Sequence, residues 1–278
     1  MEFIEVLKAI LFGIIEGITE WLPISSTGHM IILNDLVKLE VSSEFYSLFE
    51  VVIQLGAVLS VVIIYFKTIF PWGFGKSKKD KKNTFNLWGK ILIACVPAAI
   101  IGLLFDDLLD KYLYNSIVVS LMLIIYGILF IIIESKHHNK DTRVNDLKEI
   151  TYKDALLVGI FQLLALIPGT SRSGATIIGG LLIGLKRSVI AEFTFFLAIP
   201  VMAGASLLKI LKYIIKVGLS FTGIELMTLL VGSLVAFIIS IIVIKFLMNY
   251  IRRHDFKVFG YYRIILGIIV FMYFMFIA

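Results

Sequence analysis

Residues 16–29 read Glu16-Gly17-Ile18-Thr19-Glu20-Trp21-Leu22-Pro23-Ile24-Ser25-Ser26-Thr27-Gly28-His29, and residues 168–174 read Pro168-Gly169-Thr170-Ser171-Arg172-Ser173-Gly174. Each stretch interrupts an apolar region, the first over 3–37 and the second over 155–185. Proline, glycine and hydroxyl residues stop helices, and the flanks on either side are too short to cross a bilayer core of about 30 Å. Irregular backbone at membrane depth is tolerated only where it is buried in protein or lines a polar cavity. Both regions therefore read as re-entrant helix–loop–helix hairpins.

The rest of the chain fits that frame. Its 278 residues are 59% hydrophobic and 17% charged, with a mean hydropathy of +0.99. Soluble domains are about half apolar and about a quarter charged, so lipid solvates much of this surface. Six segments are long enough to span: Leu48–Phe66, Leu87–Phe105, Ile117–Ile133, Phe193–Leu211, Glu225–Phe246 and Gly260–Ile277. The lone Cys95 excludes an internal disulfide framework and reads as packing. Residues 1–20 do not read as a cleaved leader, because Glu16 and Glu20 interrupt the apolar stretch. The net charge of +6 resides in short segments between apolar runs, which argues for topology rather than a nucleic-acid partner.

The two broken regions resemble each other. Gly13 precedes Gly28 by the same spacing as Gly159 precedes Gly174, which aligns Glu16 with Gln162, Ser26 with Arg172 and Thr27 with Ser173. The expected fold is all-α: one membrane domain of six transmembrane helices plus two re-entrant hairpins, arranged as inverted-topology repeats. The first repeat covers 1–133, a cytoplasmic link covers 134–153, and the second repeat covers 154–278. Basic residues set the orientation. Seven lysines in 67–90, the link residues Lys136, Lys140, Arg143, Lys148 and Lys153, and Lys245, Arg252, Arg253 and Lys257 can all face the cytoplasm together. The acidic connection 106–116 and both termini are then outside. Lys209, Lys212 and Lys216 fit this orientation less well.

Glu16 and Glu20 are four residues apart and share a helix face. Ionisable groups within membrane segments are functional candidates by default, although two solvated end-of-helix charges are the plain alternative. Ser25, Ser26, Thr27 and His29 place hydroxyls beside an imidazole, the commonest base for a serine nucleophile. A helix opening at about Gly28 favours an anion at its N-terminus; Ser25 or Ser26 as a simple N-cap uses the same donors. Arg172, among Thr170, Ser171, Ser173 and Gly174, matches phosphate oxygens in charge and geometry. It could instead pair with Glu16 or Glu20. His137, His138 and His254 read as solvated or interfacial. Glu50, Glu192, Gln54 and Gln162 read as supporting residues, and Trp21, Trp72 and Trp88 as interface anchors and packing. Carboxylates with phosphate oxygens are the usual surroundings of Mg²⁺. The inventory suits a phosphate or diphosphate with a divalent cation, on a substrate with a long apolar tail.

Residues 16–29 resemble the first signature of the undecaprenyl-diphosphatase family, also called UppP or BacA, and residues 168–174 resemble its second. Residues 49–56 and 191–200 are also similar, and the likeness runs the length of the chain. The resemblance implies a multi-pass enzyme of the bacterial cytoplasmic membrane. Such enzymes hydrolyse undecaprenyl diphosphate to undecaprenyl phosphate and inorganic phosphate. This recycles the lipid carrier of peptidoglycan synthesis and confers bacitracin resistance. The expected catalytic residues are Ser26, His29, Glu20 and Arg172, with Ser25, Thr27, Gly28, Thr170, Ser171, Ser173 and Gly174 binding substrate. Glu16 and Glu20 are expected to hold Mg²⁺ or Ca²⁺. His29 would take the proton of Ser26, which attacks phosphorus; in a variant, His29 or Glu20 activates water. The site is expected to open to the extracytoplasmic face. The expected partners are the lipid diphosphate, the bilayer and a second copy in a homodimer. A flippase or transporter using the same site is the rival reading.

Overall fold

The computed structural model describes residues 2–72, 75–113, 115–137, 142–218 and 220–276. Helices α1 (Glu2–Thr19) and α2 (Ser26–Leu36) flank the first break, followed by α3 (Ser43–Ile64), the short α4 (Phe66–Ile69), α5 (Lys78–Leu113) and α6 (Ser116–His137). Helix α7 (Tyr152–Gln162), continued by a 3-10 turn at Leu163–Leu166, and α8 (Arg172–Leu182) flank the second. The chain then forms α9 (Arg187–Lys216), α10 (Gly223–Tyr250) and α11 (Lys257–Phe276). Six of these helices are long and apolar enough to cross a membrane: Ser43–Ile64, Lys78–Phe105, Ser116–Lys136, Arg187–Lys216, Gly223–Tyr250 and Lys257–Phe276. At about 1.5 Å per residue, even the last, of 20 residues, matches the hydrocarbon thickness. The protein is thus a multi-pass helical membrane protein. Among the described residues no strand forms, and a single bridge joins Val144 to Leu185.

Lipid tails are as apolar as leucine, so membrane helices associate through close packing of small residues. Helix α1 docks on α10 and α7 docks on α5, while α6 pairs with α11 and α3 contacts both α9 and α10. A Cβ on Gly13 would lie 2.5 Å from the Gly232 carbonyl oxygen, and one on Gly159 would meet the Ala94 carbonyl oxygen. Only glycine permits these approaches. Aromatic rings fill the centre, with Phe12 edge-on to Phe49 at 5.7 Å and Trp21 edge-on to Phe195 at 5.4 Å. Trp21 is fully buried, so it packs the core rather than anchoring an interface.

Several sequence boundaries shift. Ser42 caps α3 by accepting the Phe45 N–H at 3.1 Å, so the helix starts earlier than expected and Glu50 lies two turns inside it rather than at its start. Helix α5 runs to Leu113, which shortens the expected connection at 106–116. In the link, Arg143 pairs with Asp154 at 2.5 Å, and Asp154 closes a capping box with Thr151 that starts α7. His138, Lys140 and Ile277 lie outside the described residues.

Candidate functional site

Two serines carry the only positive φ values outside glycine among the described residues: Ser25 and Ser171, each at 73°. A left-handed serine is strained by about 1–2 kcal/mol, so something must hold it. In both loops the serine hydroxyl caps the following helix. The Gly28 N–H donates to Ser25 Oγ at 3.4 Å, and the Gly174 N–H donates to Ser171 Oγ at 3.1 Å. The two loops also share one fastening. Arg263 of α11, with 0% exposure, donates to the carbonyls of Pro23 (3.1 Å), Gly169 (2.8 Å), Thr170 (2.9 Å) and Met122 (3.4 Å). Its guanidinium also lies 5.6 Å from the Tyr126 ring centre.

The tips therefore meet. Arg172 Nη2 donates to Glu20 Oε1 at 3.0 Å, and its Nη1 donates to the Thr194 carbonyl at 2.8 Å. The Arg172 guanidinium carbon lies 6.0 Å from the Trp21 ring centre. The Ser26 hydroxyl donates to the other Glu20 oxygen at 2.8 Å. Ser173 Oγ lies 3.4 Å from both the Glu20 and Leu22 carbonyls. One carboxylate thus bridges a hydroxyl of the first break and a guanidinium of the second, and all three side chains are buried or nearly so. A cavity of about 140 Å³ opens on this group, lined by Glu20, Ser26, Thr27, Gln54, Ser171 and Arg172 with apolar residues around them. That volume suits a phosphate group and little more.

His29 is placed differently from the sequence expectation. Its Nδ1 lies 2.8 Å from the Ser25 carbonyl and its Nε2 lies 2.7 Å from the Tyr262 hydroxyl, with the two rings parallel at 5.7 Å. Both nitrogens are engaged, and His29 is not among the cavity residues. The Ser26–His29 pair is not made; Ser26 turns its proton to Glu20 instead.

Comparison with known proteins fits this geometry. The model of the bacitracin resistance protein BacA family matches residues 9–269. The chain belongs to the BacA family. Among its relatives, the undecaprenyl-diphosphatase of Desulfitobacterium hafniense is 58% identical over 275 residues, covering 99% of this chain and 98% of that protein. The undecaprenyl-diphosphatase of Enterococcus faecalis V583 is 57% identical, covering 99% of this chain and all of the relative. Undecaprenyl-diphosphatase 1 of Clostridium acetobutylicum is also 57% identical, with 99% of each chain covered.

In this BacA-family member, Glu16 is the most exceptional side chain. It is fully buried, its carboxyl oxygens have no partner outside the neighbouring Glu20, and the charged groups that act on it are Glu20, Glu50 and Arg172. Gln162, its counterpart in the second broken region, is also buried without side-chain partners. So is the Thr170 hydroxyl. Glu16, one turn behind Glu20, is a second carboxylate at the site, and carboxylate oxygens are the ligand type a divalent cation takes. Among the described residues no group of three or more His, Cys, Asp or Glu side chains forms a protein-only cage. Sequence reasoning missed Arg263, Tyr262 and Thr194. For Arg263 the signal was present, as an arginine inside an apolar span. Thr194 acts through its main-chain carbonyl, which has no sequence signature.

Proposed function

We propose that the chain is an integral membrane phosphatase that hydrolyses undecaprenyl diphosphate to undecaprenyl phosphate and inorganic phosphate. It would thereby recycle the carrier of peptidoglycan synthesis and confer bacitracin resistance. One observation carries the reading: Glu20 is held between the Ser26 hydroxyl and the Arg172 guanidinium at a phosphate-sized cavity. The relatives' names agree with it.

The proposed chemistry uses these residues in order. The terminal phosphate enters the cavity and draws the Arg172 Nη2–H from Glu20, while the Thr194 carbonyl keeps the guanidinium in place. The N–H groups opening α2 and α8, with Thr27 and Ser173 nearby, bind the remaining phosphate oxygens. Glu20, now free of the arginine, takes the Ser26 proton. Ser26 Oγ forms a bond to the terminal phosphorus as the bridging P–O bond breaks, and undecaprenyl phosphate leaves with that oxygen. Water then cleaves the phosphoserine and releases inorganic phosphate. Arg172 and the loop amides stabilise the charge that develops on phosphorus oxygens. Mg²⁺ or Ca²⁺ held by Glu16 and Glu20 would supply charge neutralisation for the diphosphate. In the alternative, water attacks directly and Ser26 only binds; a phosphoserine trapped under quenched turnover distinguishes the two.

We also infer that residues 3–37 and 155–185 are re-entrant hairpins of two inverted repeats, 1–133 and 154–278. The inference is supported by the matching left-handed, self-capping serines and by the crossed docking of α1 on α10 and α7 on α5. The lysine-rich segment at 67–90 and the link at 134–153 are then cytoplasmic, and the site opens outward. Lys216, awkward for that orientation, is neutralised by Glu44 at 2.8 Å. The test is phosphate release from polyprenyl diphosphate by purified protein in detergent, with no gradient. Release lost in Glu20→Ala and Arg172→Ala supports the assignment. Release retained in both variants overturns it, and none from the intact protein supports a transporter.

A further inference from the structure

A second, larger cavity lies away from the diphosphate site. It encloses about 840 Å³ between α4, the start of α5, residues 145–148 and the first turns of α9. Four lysines line it: Lys67, Lys76, Lys90 and Lys148. None makes an ion pair among the described residues. Lys90 is only 4% exposed, and its ammonium donates a single bond, to the Lys148 carbonyl at 3.2 Å. A lysine ammonium carries three protons, so a buried cation at the cavity wall retains unused donors. Of the three facing carboxylates, Asp80 attracts Lys148 and Lys76, which leaves Lys67 and Lys90 without an acidic partner in the cavity. Asp80 accepts the Ser77 hydroxyl at 2.6 Å, and Asp146 accepts the Lys148 N–H at 2.9 Å. Glu192 is the third.

A separate observation bears on where this cavity lies along the membrane normal. Phe66, one of its lining residues, stacks on Phe70 at 4.7 Å; Phe70 meets Trp72 edge-on at 5.6 Å, and Trp72 meets Phe85 at 6.0 Å. All four rings are exposed, Trp72 to 67%. An exposed tryptophan is characteristic of headgroup depth, and Trp72 stands between α4 and the apolar stretch Lys78–Phe105. Trp72 thus points to a lysine cavity near the membrane surface, where basic pockets between helices suit anionic headgroups.

We propose that this cavity binds the phosphate-bearing headgroup of an anionic membrane lipid, with Lys90 in its wall and the aromatic ladder beside its acyl chains. The site is separate from the catalytic cavity: along α9, Glu192 of the first and Met202 of the second are about 15 Å apart at helical rise. It stands independently of the chemistry proposed above.

The test is lipid retention by the intact protein, read by native mass spectrometry during titration with phosphatidylglycerol, phosphatidylcholine or inorganic phosphate. Phosphatidylglycerol should be retained about tenfold more than phosphatidylcholine, and Lys90→Gln with Lys148→Gln should remove that preference. Phosphate release from polyprenyl diphosphate should be unchanged in the same variant. Should Lys90→Gln fail to fold, Lys67→Gln with Lys148→Gln, both exposed positions, must still weaken retention severalfold. Equal retention of the two lipids, or variants that retain like the wild type, would overturn the proposal. Displacement of the lipid by equimolar inorganic phosphate would also overturn it, assigning the cavity to the free anion.

Discussion

Methionine at position 263 would keep the length of the arginine stem and remove its five donors. Four main-chain carbonyls would then lose their partner, those of Pro23, Met122, Gly169 and Thr170. A charge-assisted hydrogen bond contributes about 1.5–3 kcal/mol, and a buried acceptor left alone loses about 1–3 kcal/mol. The simple sum overstates the effect, because burying the guanidinium itself costs several kcal/mol. A net loss of about 1–3 kcal/mol, the penalty of carbonyls left without a partner, is the reasonable magnitude. The consequence for the site is larger than for the fold. Arg263 ties the backbones of both breaks together from outside the reacting group, so its loss lets Ser26 and Arg172 drift relative to each other. A misplacement of about 1 Å reduces rate about 100-fold. Arg263→Met should therefore lower kcat/KM about 100-fold, with kcat carrying most of the loss. Arg263→Lys keeps the charge but not the planar fork, and should lose about tenfold. The assay is phosphate release from a polyprenyl diphosphate in detergent, beside a melting curve. A folded Arg263→Met protein with wild-type kcat/KM would refute the reasoning.

Three further outcomes are expected. Glu16→Gln should raise the divalent-cation concentration needed for half-maximal phosphate release by about an order of magnitude or more, since affinity follows ligand charge. Without metal it should melt no lower than wild type, because a buried carboxylate with no partner outside Glu20 destabilises the fold. Tyr262→Phe loses the 2.7 Å bond to His29 but keeps the ring stack; stability should fall by about 0.5–1.5 kcal/mol with kcat/KM nearly unchanged, because His29 lies outside the cavity. Gly159→Ala should lower stability by about 1–3 kcal/mol, because its methyl group meets the Ala94 carbonyl. In contrast, Gly204→Ala, with nothing within 4 Å, should be neutral or slightly stabilising in the same melts.

The spans were legible because hydrocarbon imposes a length and a composition that few other constraints imitate. The breaks were legible because Pro23, Pro168 and the hydroxyl-rich residues after them cannot continue an apolar helix. The Glu20–Arg172 pair was legible as the alternative to phosphate binding, since a buried acid and a buried arginine each need a partner. The assignment of protons was not legible. Ser26 and His29 are three apart, which suggests a pair, but rotamer and tertiary partner decide. Tyr262, far along the chain, takes the imidazole, and Glu20 takes the serine. Arg263 was obscured for a related reason. Its acceptors are carbonyls, and every residue supplies one.

The pairing of Glu20 with Arg172 bears on how such a site survives between turnovers. A buried carboxylate and a buried guanidinium are each costly alone, yet together they neutralise each other. The pair also restrains the chemistry. While Arg172 holds one oxygen of Glu20, the carboxylate is a poor base for Ser26, and water entering the cavity meets an unactivated hydroxyl. A phosphate can exchange the Arg172–Glu20 bond for an Arg172–phosphate bond at little net loss, because Thr194 fixes the other end of the guanidinium. On the proposed chemistry, arrival of the substrate is what releases the base. That arrangement directs binding energy to the reacting state rather than to the resting one. It also explains why acid and arginine come from different breaks: either break alone could fold with its own charge solvated, but only the joined tips need the other's charge in place.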